Sequence, residues 1–198
     1  MFGWWFMANK INLRFKSLNT YKRNIMSRKK NTNGGGSKTN LNGLGFEKKT
    51  NLLELINENN NYELTEFGEV VNENRVVAKY FEKHQIYSEI LKPNGLNYKN
   101  ILSKKLLPDS ALLVGGTIFI IEKKFQNGAG SVDEKLQTCD FKKRQYEKLF
   151  NPLGINVEYY YLLNNFFNKE CYKDVFEYIE SVGCKYFFEK IPLDKIGL

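Results

Sequence analysis

Apolar and polar residues follow several different rhythms along this chain, and each rhythm predicts an element. From Phe46, FEKKTNLLELINEN brings Phe46, Leu53 and Ile56 back near the helical period, with Leu52 and Leu55 widening the stripe, so a first helix is expected there. NENRVVAKYFEKHQIYSEIL predicts a second helix over roughly 72–91, stopped by Pro93-Asn94-Gly95. KLLPDSALLVGGTIFIIEKKFQ, at 105–126, predicts two strands around Gly115-Gly116. SVDEKLQTCDFKKRQYEKLF, at 131–150, predicts a long helix that Ser131 and Glu134 open with a capping box and that Pro152 and Gly154 end. VEYYYLL at 157–163 is β-branched and aromatic and predicts a central strand. CYKDVFEYIESVG predicts a helix with its stop at Gly183, and CKYFFEKI at 184–191 a last strand. A hairpin followed by strands joined through helices implies an α/β sandwich, with a central mixed β-sheet flanked by helices.

Composition adds size and charge to this picture. The chain has 198 residues, 42% of them hydrophobic and 15% aromatic, enough for one ordinary core. Its formal charge of +8 is unevenly placed: residues 1–46 carry nine of the 30 Lys and Arg and none of the 22 acids. The other 21 bases and all 22 acids leave residues 47–198 at about −1, so the excess lies wholly in the first quarter. We therefore expect a basic, flexible arm over 1–31 and a single folded domain over 32–198. The arm suits an organellar transit peptide, a segment gripping phosphates, or an extension upstream of a start at Met26. NTNGGGSKTNLNG, at 31–43, is a loop, and it lacks the Gly-Lys-Ser/Thr of a P-loop.

The same composition excludes several chemistries. Cys139, Cys171 and Cys184 are odd in number and show no C-x-x-C spacing, which argues against a disulfide framework or a zinc site. With His84 the only histidine, His-based metal sites and Ser-His-Asp triads drop out, and His84 reads as a polar position on a helix. No apolar run approaches the roughly 20 residues that span a bilayer, so no membrane role is expected. Catalysis, where present, falls to carboxylates, lysines and a metal.

The hairpin supplies those groups. Gly-Gly is among the best two-residue type I′ loops, because both central residues need φ above zero. With Gly115 and Gly116 as the loop, Val114 faces Thr117 and, counting outward, Asp109 faces Glu122. Opposed residues share a sheet face with Cβ atoms about 4.5–5.5 Å apart. Alternation puts Lys124 on that face as well. Facing carboxylates repel in a sheet; either Asp109 sits in water at the strand start while Glu122 and Lys124 form surface pairs, or a divalent cation such as Mg²⁺, which takes one or two carboxylates, resolves the conflict.

Pro108-Asp109, followed after twelve residues by Glu122-Lys123-Lys124, resembles the P-D…(D/E)-x-K motif of the PD-(D/E)XK nuclease superfamily, which includes type II restriction endonucleases. The resemblance covers about residues 40–190. It implies a restriction-endonuclease-like fold and a Mg²⁺-dependent endonuclease, for which Mn²⁺ can substitute, cutting double-stranded DNA as a restriction or homing-type enzyme, with a homodimer expected. A Holliday-junction resolvase or repair nuclease, or a non-catalytic DNA-binding protein on the same fold, are the alternatives. Under this resemblance Asp109 and Glu122 ligate the metal, helped by the Lys123 carbonyl, and Lys124 positions the attacking water. Glu47 on the first helix is the accessory acid, with Glu54 two turns later as the second choice.

Further bases and amides fall near this motif. Gln126 continues the Glu122 and Lys124 face, where it either contacts the scissile phosphate or simply ends the strand. Lys135, Lys142, Lys143 and Arg144 lie on the helix after the catalytic strand, either as a solvated face or as phosphate contacts. Lys135 and Gln137 are further candidates, because SVDEKLQT resembles a segment of some restriction-like enzymes in which a lysine or glutamine on this helix supports the site. Localisation is left open by the sequence.

Overall fold

The computed structural model describes residues 45–46, 52–128 and 132–198. The basic arm, the Gly-rich loop, Glu47 and the Ser131 cap lie outside the described residues. Seven strands form one sheet whose spatial order is the chain order: β1 (Glu63–Leu64), β2 (Glu69–Asn72), β3 (Arg75–Phe81), β4 (Ser110–Val114), β5 (Thr117–Lys124), β6 (Asn156–Leu163) and β7 (Lys185–Phe188). From β1 to β5 the neighbours are antiparallel, and β5, β6 and β7 are parallel. Parallel neighbours need long crossovers. Helices α2 (Val132–Leu136) and α3 (Cys139–Phe150) join β5 to β6, and α4 (Lys173–Ser181) joins β6 to β7. Helix α1 (Leu52–Glu58) precedes the sheet.

Helices cover both faces. On one, Phe81, Ala111, Leu113, Ile118, Ile120, Tyr159 and Tyr161 pack with Tyr146, Leu149 and Phe150 of α3 and with Phe176 and Ile179 of α4. On the other, Leu112, Phe119, Ile121, Tyr160 and Leu162 pack with Leu52 and Ile56 of α1 and with Ile196 near the C-terminus. The central strands β5 and β6 are buried on both faces, which is why TIFII and YYYLL read as near-continuous apolar runs. The expected α/β sandwich with a mixed sheet is therefore present. Among the described residues no helix is long and apolar enough to cross a membrane.

Two expectations fail. The segment read as a single helix over 72–91 is instead the end of β2, a turn at Glu73-Asn74, β3, and then a short π-helical turn at Ile86–Leu91. Glu73 and Asn74 take φ of 47° and 61°, the positive values a type I′ turn requires, and Asn72 pairs with Arg75 across them. The rest of β3 is held by partners distant in sequence, Ala78 to Phe81 pairing with Val114 to Ala111. The long helix at 131–150 is also broken, at Gln137-Thr138. There the Lys135 carbonyl accepts from the Thr138 hydroxyl at 2.7 Å and from the Tyr161 hydroxyl at 3.1 Å. Side-chain donors of this kind compete with the helical ladder.

Candidate active site

The site is set by the β4–β5 turn. Gly115 and Gly116 have φ of 53° and 89°, both in the region that L side chains avoid. Val114 pairs with Thr117 and the register runs unbroken to Ser110 with Ile121. Asp109 and Glu122 each lie one position beyond that last pair. Pro108 precedes Asp109, and its carbonyl accepts from Lys83 N–H at 3.2 Å, tying this corner to the end of β3. Asp109 Oδ2 accepts the Lys123 backbone N–H at 2.7 Å, a charge-assisted bond that continues the ladder through a side chain.

Alternation places Glu122 on the face that carries Ile118, Ile120 and α3, where it is only 7% exposed. Lys124, two residues on, donates to Glu122 Oε2 at 2.8 Å and to the Lys123 carbonyl at 3.1 Å. Lys142 arrives from α3 and reaches the same Glu122 Oε2 at 3.2 Å. Two carboxylates and two ammoniums thus make a formally neutral quartet at the end of the hairpin. Each pair at about 4 Å is worth roughly 1 kcal/mol in bulk water and about 4 kcal/mol at a partly shielded site. Asp109 Oδ1 and Glu122 Oε1 have no hydrogen-bond or ion-pair partner among the described residues.

A tyrosine layer lies beneath the acids. Tyr159 and Tyr161 alternate on β6, with Tyr161 paired to Glu122, and Tyr146 of α3 packs 6.4 Å from Tyr159 between ring centroids. Burial pushes the Tyr146 and Tyr159 hydroxyls far up, and the Glu122 charge pushes them further; Asp109 also acts on Tyr146. These hydroxyls stay protonated at any working pH, so none is a base. The Tyr159 hydroxyl, beside that of Tyr161, is buried without a well-formed hydrogen bond among the described residues, and a poorly paired buried polar atom costs about 1–3 kcal/mol. Tyr159→Phe should therefore raise unfolding free energy by about 1 kcal/mol in urea titration; a loss of that size would mean the hydroxyl is paired.

The other sequence candidates separate. Gln126 is buried and clamps the ends of the parallel strands: its N–H donates to Asn164 Oδ1 at 3.1 Å, and Asn164 Nδ2 donates to the Gln126 carbonyl at 2.9 Å. Gln126 Nε2 donates to the Gly128 carbonyl at 2.7 Å. Nothing in the sequence singled out Asn164. Lys135 and Gln137 are exposed at the α2–α3 break. Lys143 turns away from the acids, donating to the Gly183 carbonyl at 2.9 Å, and Arg144 pairs with Asp140 on the solvent side of α3 at 2.9 Å. Glu54 is exposed, two positions from each of the buried Leu52 and Ile56, on a helix that covers the opposite face of the sheet. No contact brings it to Glu122 among the described residues, and Glu47 lies outside them.

The donor set fits a hard cation. Mg²⁺ takes one or two carboxylates and completes its shell with water and phosphate oxygens, and Asp109 and Glu122 each present one uncommitted oxygen. Among the described residues no group of three or more His, Cys, Asp or Glu converges, so these two acids are the whole protein carboxylate set there. Comparison of the chain with protein-family models and with characterised proteins finds no match.

Proposed function

We propose that this chain is a Mg²⁺-dependent endonuclease that hydrolyses phosphodiester bonds of double-stranded DNA on a restriction-endonuclease-like fold, acting as a homodimer. The observation that carries the reading is the hairpin end, where Asp109, one position beyond the Ser110–Ile121 pair, accepts the Lys123 N–H at 2.7 Å and the Lys124 ammonium is 2.8 Å from Glu122 Oε2. The order of elements agrees with it: a helix before the hairpin, then helix, strand, helix and strand after it.

Asp109 and Glu122 would hold the cation, whose chemistry there is to neutralise charge on the phosphate oxygens and polarise the phosphorus. The protein's own work is positioning. The Asp109 bond to Lys123 N–H and the Gly115-Gly116 turn fix both carboxylates on rigid strands. Lys124, anchored at the Lys123 carbonyl, donates to the water that attacks phosphorus and to charge that develops on the phosphate as the sugar oxygen leaves. The Gln126–Asn164 clamp keeps β5 and β6 together just beyond it.

A binding protein without activity is the second reading, and one observation favours it: Glu122 is already neutralised by two lysines. Supercoiled plasmid separates the two. With Mg²⁺ or Mn²⁺ the endonuclease yields nicked and linear DNA, and EDTA abolishes both products. Retention of DNA with no nicking under either cation removes the enzyme and leaves the binding module.

A further inference from the structure

Glu122 Oε2 receives two ammoniums, and they are not held alike. Lys124 is the closer, at 2.8 Å, has a second acceptor in the Lys123 carbonyl at 3.1 Å, and its side chain is 17% exposed. Among the described residues Lys142 has this single partner, at 3.2 Å, and its side chain is 26% exposed. The geometry points to Lys142 as the exchangeable counter-cation of the site: it neutralises Glu122 in the free chain and lets go of that carboxylate when a divalent cation neutralises it instead. The inference rests on the metal-dependent reading above and deepens it.

Charge arithmetic explains why such a residue is useful. Asp109, Glu122, Lys124 and Lys142 sum to zero, so the partly buried acids are compensated without metal. A divalent cation brings the quartet to +2, the sign that attracts a phosphodiester, and Lys142, released from Glu122, becomes a donor available to that phosphate. Lys142 is a positioning residue in this scheme, because it acts first through Glu122. Lys143, the next residue, cannot replace it, being committed to the Gly183 carbonyl.

The test reads cation binding directly, without DNA. Mn²⁺ affinity is measured by electron paramagnetic resonance, with Mg²⁺ as competitor, on the full chain and on Lys142→Met, Lys142→Gln and Lys143→Met. Removing the competitor should tighten Mn²⁺ binding about tenfold in both Lys142 variants, while Lys143→Met leaves it unchanged. Unchanged or weaker affinity in the Lys142 variants, with thermal unfolding showing that they remain folded, overturns the inference, as does a wild-type chain that binds no Mn²⁺. The two readings fail separately: cleavage with unchanged Mn²⁺ affinity leaves the endonuclease and removes the exchange, whereas tightened affinity with no cleavage of any DNA does the reverse.

Discussion

Asp109→Asn should lower Mg²⁺-dependent plasmid cleavage by about a thousandfold or more while leaving the fold intact. The asparagine keeps an oxygen that can accept from Lys123 N–H, the bond that holds this corner at 2.7 Å, but it removes one of the two negative charges offered to the cation. Loss of about 4 kcal/mol of transition-state stabilisation corresponds to that factor. Glu122→Gln should match it, and Lys124→Met should cost about a hundred- to a thousandfold, the usual consequence of deleting a donor aimed at developing charge. Lys143→Met and Arg144→Met set the background. Their side chains serve the Gly183 carbonyl and Asp140, so cleavage should fall by no more than about tenfold through weaker phosphate contacts. Initial rates of nicking, with circular dichroism to verify folding, check the ranking. Asp109→Asn that cuts within about tenfold of wild type would remove this carboxylate from the chemistry.

The sequence made the site more legible than its surroundings, for a physical reason. A Gly-Gly loop fixes register locally, so counting outward from Gly115 and Gly116 was enough to give the five pairs from Val114–Thr117 to Ser110–Ile121, with Asp109 and Glu122 next in line, and to place Lys124 beside Glu122. β5 and β6 were likewise readable, because strands buried on both faces must be apolar along their length. RVVAKYF was not. Val76, Val77, Tyr80 and Phe81 fit a helical stripe as well as a strand, the turn before them carries no glycine, and what decides the matter is pairing with β4 some thirty residues away. The arrival of Lys142 at Glu122 was equally hidden. On an unbroken helix Lys135 and Lys142, seven residues apart, share one face; the interruption at Gln137-Thr138 leaves Lys135 in solvent and delivers Lys142 to the acids. The Lys135 carbonyl at that interruption accepts from the Tyr161 hydroxyl as well as from Thr138, and Tyr161 comes from a strand that the helix's own residues do not reveal.

The turn itself carries the other large expected effect. Replacing Gly115 and Gly116 together by valine should lower unfolding free energy by about 2–4 kcal/mol, because each L side chain forced into positive φ costs roughly 1–2 kcal/mol and β-branching leaves little relief. The cost is not one of space at Gly115, where an added Cβ meets nothing within 4 Å; it is conformational, arising from φ of 53° there and 89° at Gly116. Gly115→Asn is the informative control, since asparagine tolerates the left-handed region, and it should cost less than about 1 kcal/mol. Urea titration gives both values. Cleavage gives a second readout, because a hairpin relieved by opening its loop shifts β4 against β5, and a one-residue slip moves every side chain of a strand to the other face. Asp109 would then leave Glu122 even in molecules that remain folded, so the double valine variant should lose cleavage more steeply than its stability alone accounts for. An unchanged urea midpoint with full cleavage would mean that the Leu112–Phe119 and Leu113–Ile118 pairs, and not the glycines, hold the register.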